Sequence, residues 1–380
     1  ELSKVVLVGD NTPRFDHDPI TRECKGLLME ESRTNQITGS FDLTVSGYSP
    51  VNVDITPSTT ETLAPSGDFT ASKMVVTTTA QQHYINFNNM TKANGAERQC
   101  VSFWAKLTSS NYPILKSYIT GAGAFTNYSE ARFNLSTGVV TAYGYGGYTN
   151  HSAKMTQYPN GWYKCEYEAT LDSSETTKRF QLLANNGSSD AGNGTDGYYI
   201  WGVQVEVGAF ATSLIPTNGS TVTRGEDVAL IDGTEFTDFF NAIEGTSVVH
   251  AHMPNATGFA GMGAYAFKNS SNSNVHLGLS RDSGSDPVYH YYHDGSNNGY
   301  TRASATADNM YKGALSFKTN DLDSYVNGSL NTNTTTFTMP TIDNLRIGGV
   351  GTPNQLGGHV ARFMYYPVKL TNNQLATLTS

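Results

Sequence analysis

The sequence predicts an all-β protein: two tandem antiparallel β-sandwiches behind a short extended N-terminal segment. Three observations carry this. Short apolar or alternating runs recur at close intervals between Gly, Asn, Ser and Thr turns, and no helix-period segment breaks the series before residue 225. Charged residues make up only 15% of the 380, against roughly 25% in an average soluble domain, which favours turns and strands over helices. A similar closing phrase also appears twice, as Gly161-Trp-Tyr with Tyr198-Tyr-Ile-Trp-Gly-Val-Gln-Val-Glu-Val and as Asn344-Leu-Arg-Ile-Gly-Gly with His359-Val-Ala-Arg-Phe-Met-Tyr-Tyr-Pro.

Residues 1–35 read as a lead-in. Val5-Val-Leu-Val is a short apolar strand, Pro13 and Pro19 bar the next run from a central strand, and Gly26-Leu-Leu-Met is too short to form a core. The expectation is that this segment docks as an edge, with Arg14, Phe15 and Asp16 packed on the first sandwich or on a neighbouring copy. Residues 36–224 form the first sandwich, with strands at Ser72–Thr77, Tyr84–Phe87, Gln99–Leu107, Pro113–Ile119, Ser129–Leu135, Gly138–Ala142, Trp162–Leu171, Lys178–Ala184 and Tyr198–Val207. Val101, Phe103 and Ala105 alternate with Ser102, Trp104 and Lys106, so one face of that strand is apolar and the other carries a Trp.

Thr212–Arg224, broken by Pro216 and Gly219, reads as a linker with the boundary near 225. Residues 225–380 form the second sandwich, with strands at Thr246–His252, Ala260–Phe267, Asn274–Ser280, Val288–His293, Gly299–Ala303, Tyr311–Lys318, Asp323–Val326, Asn344–Gly348 and His359–Tyr366. Only Thr371–Thr379 reads as a helix, with Thr371 as N-cap.

Charge and composition exclude several functions. A net charge of −9 without a basic cluster argues against nucleic acid as a partner. No apolar run reaches the roughly 18 residues of a membrane helix, so no membrane insertion is expected. Cys24, Cys100 and Cys165 are too few and too widely spaced for a disulfide framework or a zinc site. Cys100 and Cys165 read as buried thiols, which suits assembly in a cytoplasm.

Thr12-Pro-Arg-Phe-Asp-His-Asp-Pro, Gly26-Leu-Leu-Met-Glu-Glu-Ser-Arg-Thr-Asn, Asn160-Gly-Trp-Tyr, Tyr199-Ile-Trp-Gly-Val-Gln-Val-Glu-Val-Gly-Ala-Phe-Ala-Thr-Ser-Leu-Ile-Pro-Thr and Thr221-Val-Thr-Arg follow in order. This string, over roughly residues 10–227, resembles a module of bacteriophage virion proteins: a jelly-roll similar to carbohydrate-binding modules, found in tail fibres, tailspikes and capsid-attached fibres. The second half, with Leu315-Ser-Phe-Lys-Thr-Asn-Asp, Ser324-Tyr-Val-Asn-Gly and Gly358-His-Val-Ala-Arg-Phe-Met-Tyr-Tyr-Pro, resembles the concanavalin A-like lectin and laminin-G superfamily. The resemblance implies a non-enzymatic virion component, assembled in a bacterial cytoplasm. Its partners would be other virion proteins, further copies of itself (a trimer favoured) and a host surface glycan. It also implies an upstream continuation into a virion anchor. The alternatives are a purely structural cement or spacer and a polysaccharide depolymerase.

Glycan binding needs aromatic faces against sugar C–H groups, with amides and carboxylates nearby for the hydroxyls. Two clusters offer them: Tyr143, Tyr145 and Tyr148 with Asn150, and Tyr289, Tyr291 and Tyr292 with Asp294 and Asn297. The competing reading is that alternate tyrosines pack inward, since Tyr is a favoured strand residue. Trp162 and Trp201 read as core, and Trp104 as an exposed platform or an interface residue. The pairs Glu166/Glu168 and Gln204/Glu206 each share one strand face at a spacing glycosidases tolerate, but any solvated strand shows the same, so no catalytic residue is assigned. Asp190-Ala-Gly-Asn-Gly-Thr-Asp and Asp282-Ser-Gly-Ser-Asp lack the bidentate Glu of a strong calcium loop. No metal or other cofactor is assigned.

Overall fold

The computed structural model describes the chain except residues 1–3, 10–11, 94, 122–126, 185–190, 255–261, 282–287, 294–297, 304–308, 335–337 and 350–354. The chain forms two compact units, one of residues 1–7, 19–22 and 33–224 and the other of residues 8–18, 23–32 and 225–380. Both are antiparallel β-sandwiches.

The lead-in contributes β1 (Phe15–His17) and β2 (Cys24–Met29). Next come β3 (Arg33–Asn35), β4 (Ser49–Val51), β5 (Val53–Thr56), β6 (Ser72–Val76), β7 (His83–Asn86), β8 (Met90–Thr91), β9 (Glu97–Leu107) and β10 (Ile114–Gly121). The first unit continues with β11 (Tyr128–Asn134), β12 (Val139–Tyr145), β13 (Thr149–Gln157), β14 (Tyr163–Leu171), β15 (Thr177–Ala184), β16 (Gly197–Val207) and β17 (Val222–Arg224). The second unit adds β18 (Ala229–Asp232), α1 (Gly233–Thr237), β19 (Glu244–Met253), β20 (Met262–Asn269), β21 (Asn272–Arg281), β22 (Val288–His293) and β23 (Asn298–Ala303). It ends with β24 (Asn309–Lys318), β25 (Asp321–Val326), β26 (Ser329–Thr334), β27 (Asn344–Ile347), β28 (Gly358–Tyr366) and α2 (Asn372–Thr379).

In the first unit one sheet runs β12-β11-β10-β15-β7-β4, with β8 also on β15, and the other runs β13-β14-β9-β16-β6-β5. Strand alternation sends Leu115, Ile119, Phe133, Phe180 and Leu182 inward from the first, to meet Val101, Phe103, Tyr167, Val203 and Val205 from the second. The outer side of the second sheet is also covered. Trp104, Trp162 and Trp201, at 3%, 1% and 2% exposure, lie with Ala64, Ala71 and Leu214. The Trp162 and Trp201 indoles donate to Leu63 O and Thr70 Oγ1, both at 2.9 Å. Trp162 and Trp201 are therefore core, as expected. Trp104 does point away from the main core, but it is neither a platform nor an interface residue, because local chain buries it.

That layer depends on a bulge. Between Trp201 and Gln204 the β16/β9 register slips, with Gly202 at φ 63, so both side chains stay on the outer side. A Cβ on Gly202 would lie 2.9 Å from the Trp104 ring. Gly202→Ala is expected to destabilise the first unit by about 1–3 kcal/mol, seen as a lower urea midpoint. An unchanged midpoint would show that the bulge tolerates a side chain.

The predicted linker is tied into this unit. Glu206 accepts from Thr212 N at 3.0 Å, Gln204 Oε1 accepts from Ile215 N at 2.6 Å, and β17 pairs with β3. Burial pushes the Glu206 carboxyl up, against the pull of Arg33 and Thr212.

In the second unit one sheet runs β1-β2-β28-β19-β24-β25-β26 and the other β18-β27-β20-β21-β22-β23. Val249, Leu315, Phe317 and Leu322 meet Tyr265, Phe267, Leu277, Leu279 and Leu345 between them. Two hydrogen bonds join the sheets through this core: Ser247 Oγ to Tyr265 Oη and Ser324 Oγ to His290 Nδ1, both 2.7 Å. Helix α2 lays Leu375 over Val248, Ala314 and Tyr325 on the outer side of the first sheet. It starts at Thr371, whose N–H donates to Gln374 Oε1 at 2.9 Å, as a capping box does.

The lead-in divides: Val5 packs on the first unit, while residues 8–18 and 23–32, with Arg14, Phe15 and Asp16, dock as an edge on the second sandwich and not on the first. Leu27 stands opposite Val360 and Phe15 opposite Leu27. Arg14 bonds Glu30 at 2.7 Å and also Asp227, while His359 Nε2 bonds Asp16 Oδ2 at 3.0 Å. Phe15 remains 59% exposed. Burial works to raise the Asp16 carboxyl, but the His359 hydrogen bond and Lys25 outweigh it and hold it at about 2. Proline keeps this segment out of a central strand, yet β2 itself has free N–H groups and pairs normally.

Candidate functional site

The β12-β11-β10-β15-β7 sheet turns its second set of side chains away from the core, and register arranges them in three rows. Tyr145, Tyr128, Thr120 and Arg179 make one row. Tyr143, Glu130, Tyr118, Gln181 and Asn86 make the next. Thr141, Arg132, Lys116, Leu183 and Tyr84 make the third. Neighbours within a row lie about 5 Å apart and successive rows about 7 Å apart.

The aromatic groups of this face touch one another. The Tyr118 and Tyr128 ring centroids are 5.5 Å apart, and Tyr128 and Tyr145 are 4.6 Å apart at 31°. The Arg132 guanidinium lies 5.0 Å from the centroid of Tyr143 and also bonds Glu130. Burial pushes the Tyr118 phenol up, helped by its hydrogen bond to Glu130. Tyr143 and Tyr145, at 39% and 42%, are the exposed rings, while Glu130, Gln181 and Lys116 lie at 2%, 3% and 7% beside them. The result is a floor of polar side chains edged by open aromatic rings.

Of the first predicted cluster, the structure brings Tyr143 and Tyr145 onto this face. Tyr148 is 3% exposed and belongs to the sandwich core, as the inward-packing alternative held. Asn150 lies on β13 in the other sheet, where its Nδ2 donates to Thr170 Oγ1 at 3.3 Å. The turn after Tyr145 reverses the chain into that sheet, so sequence neighbours part company.

The second cluster divides as well. Tyr292 packs against the core, while Tyr289, Tyr291 and His293 point the other way, with Tyr291 and His293 centroids 6.5 Å apart. Asp294 and Asn297 lie outside the described residues. Sequence reasoning missed Tyr118, Tyr128, Glu130, Arg132, Lys116 and Gln181. Each sits at an alternate position of a predicted strand, and only the pairing of those strands puts them together.

The carboxylates weighed for catalysis are engaged structurally. Glu166 pairs with Lys164 at 2.9 Å and Glu168 with Arg98 at 3.0 Å, while Glu206 fastens Thr212. Among the described residues no group of three or more His, Cys, Asp or Glu side chains could hold a metal ion. Asp190 and Asp282–Asp286 fall outside them, and Asp196 takes hydrogen bonds from Asn111 and Asn193. Cys100 and Cys165 are buried free thiols and Cys24 is exposed. Burial pushes the first two well up.

No family model matches the sequence, and no curated protein matches it. Among solved structures, the Ruminococcus gnavus IT-sialidase CBM40 is 18% identical over 37% of this chain and 84% of its own, at TM-score 0.32. A heptameric SAP-like pentraxin from Limulus polyphemus is 14% identical over 36% of this chain and 70% of its own, at 0.31. Mouse laminin α1 domains LG4-5 are 11% identical over 79% of this chain and 88% of their own, at 0.28. Likenesses of this size carry no function over to this chain.

Proposed function

We propose that this chain is a non-enzymatic carbohydrate-binding protein that recognises sugar on the outer face of β12-β11-β10-β15. The observation that carries the reading is the juxtaposition of exposed Tyr143 and Tyr145 with Tyr118, Tyr128, Glu130 and Gln181 on one rigid sheet. Sugar C–H groups lie against the open rings, and the carboxylate and amide hold the hydroxyls. The motif string of residues 10–227 supports placing this activity in a bacteriophage fibre or decoration subunit, as a homo-oligomer among other virion proteins that adsorbs to a host glycan.

On an array of bacterial surface polysaccharides the full chain should bind at least one preparation, and Tyr143→Ala/Tyr145→Ala should weaken it about tenfold, at roughly 0.5–1.5 kcal/mol per ring. Absence of binding by the wild type would sink the reading and favour a spacer, whereas a double variant that binds equally well would take the sugar site off this face. Antibodies to this chain should label phage particles, and unlabelled particles would remove the virion assignment.

A further inference from the structure

One group on this face is placed unlike the others. Lys116 is 7% exposed, and no hydrogen bond or ion pair among the described residues holds its ammonium. Glu130 attracts it from a neighbouring row, but that carboxylate is already bonded by Arg132 and by the Tyr118 hydroxyl. Arg132 stands directly opposite Lys116 and is a second cation. Among the described residues of these rows the face therefore sets the two cations Lys116 and Arg132 side by side against Glu130, on a chain whose net charge is −9.

Burying most of a lysine side chain without an ion pair leaves its ammonium poorly compensated, here by the attraction of Glu130 alone. Burial accordingly lowers the Lys116 pKa. An anionic ligand group would supply what the protein does not, in a site dry enough for the contact to count. Lys116 and Tyr143 lie two strands and one row apart, about 12 Å between Cα atoms at sheet spacing, the span of a short oligosaccharide.

We propose that the ligand class is an acidic polysaccharide, seated with a carboxylate or sulfate on Lys116 and its sugar rings on Tyr143 and Tyr145. This rests on the carbohydrate-binding reading of the same face and narrows it.

The test is affinity electrophoresis of the full chain in gels of polygalacturonate, alginate and a sulfated glycosaminoglycan. The gels are paired with the carboxyl-reduced forms of the first two and the desulfated form of the third, and these pairs separate carboxylate from sulfate as the recognised group. At least one acidic polymer should bind tenfold or more tightly than its neutralised partner, and added salt should weaken that binding. Lys116→Met keeps the apolar stem and removes the charge, and should abolish the preference, whereas Lys318→Met on an exposed strand end of the other unit should leave it intact.

Tighter binding of neutral polymers, or an acidic preference insensitive to salt, would overturn the acidic class while leaving carbohydrate binding in place. So would a folded Lys116→Met protein that kept the preference; should that variant fail to fold, the salt series on the wild type decides. No binding to any polymer would remove both readings.

Discussion

Lowering the pH from 6.5 towards 3 is expected to destabilise the second unit by roughly 4 kcal/mol, and replacing His290 with Asn is expected to flatten that dependence. His290 is 1% exposed, and burial pushes its imidazole down from 6.5 to about 3. The unfolded chain binds a proton near 6.5 while the folded chain does not, so between those values the unfolded state holds more protons and stability falls as pH falls. Above 6.5 the full contribution is present. At 1.36 kcal/mol per unit, a shift of this size moves the midpoint of a domain this long by roughly 10 °C.

Packing leaves the ring no means of reaching water: a Cβ on Gly313 would already touch its Cε1 at 3.3 Å. His290→Asn removes the titration, so its melting temperature should start lower at pH 7.5 and change little down to pH 4. Asp16 acts in a separate window, its contribution present above about 4 and lost towards 2. A wild-type melting temperature constant from pH 7 to 4, or a variant with the wild-type slope, would refute the argument.

The second large effect lies in the first unit. Lys178 is 0% and Glu97 8% exposed, and the two form a direct ion pair. Glu97 also accepts from Gln99 Nε2 at 3.0 Å and from Ala93 N at 2.9 Å. Lys178→Met would strand a buried carboxylate and should cost about 3–5 kcal/mol, whereas Lys178→Met/Glu97→Gln, leaving no uncompensated charge, should recover most of it. Urea unfolding of the three proteins checks this, and equal midpoints for the single and double variants would show that the pair is not electrostatically coupled.

Much of the fold was legible because β-structure writes its two faces into a period of two. Val101, Phe103 and Ala105 went to the core as read, and β22 was placed residue for residue as Val288–His293. Among the strands that escaped, β5 and β18 alternate but run for only four residues each, and others lack the pattern. β13 is Thr149–Gln157, mostly polar and exposed, and it forms the edge of its sheet, touching the core only through Ala153 and Met155. β26 is the Asn- and Thr-rich edge of another.

The candidate site was legible in part. Tyr143 and Tyr145 were found because they cluster locally. Tyr148 and Asn150 were wrongly grouped with them because a turn intervenes and carries the chain to the other sheet. Lys116, Tyr118, Glu130, Arg132 and Gln181 were invisible as a group, being spread over three strands whose register no local signal sets.

By itself, the sequence determined the all-β class, the inward face of the central strands and the single C-terminal helix, because each follows from local periodicity or capping. Tertiary structure alone decided that β2 pairs with β28 across most of the chain, that local segments bury Trp104, and that Lys116 is largely buried without an ion pair. These depend on which strands become neighbours, and strand pairing is a long-range choice made by the packing of the whole sandwich.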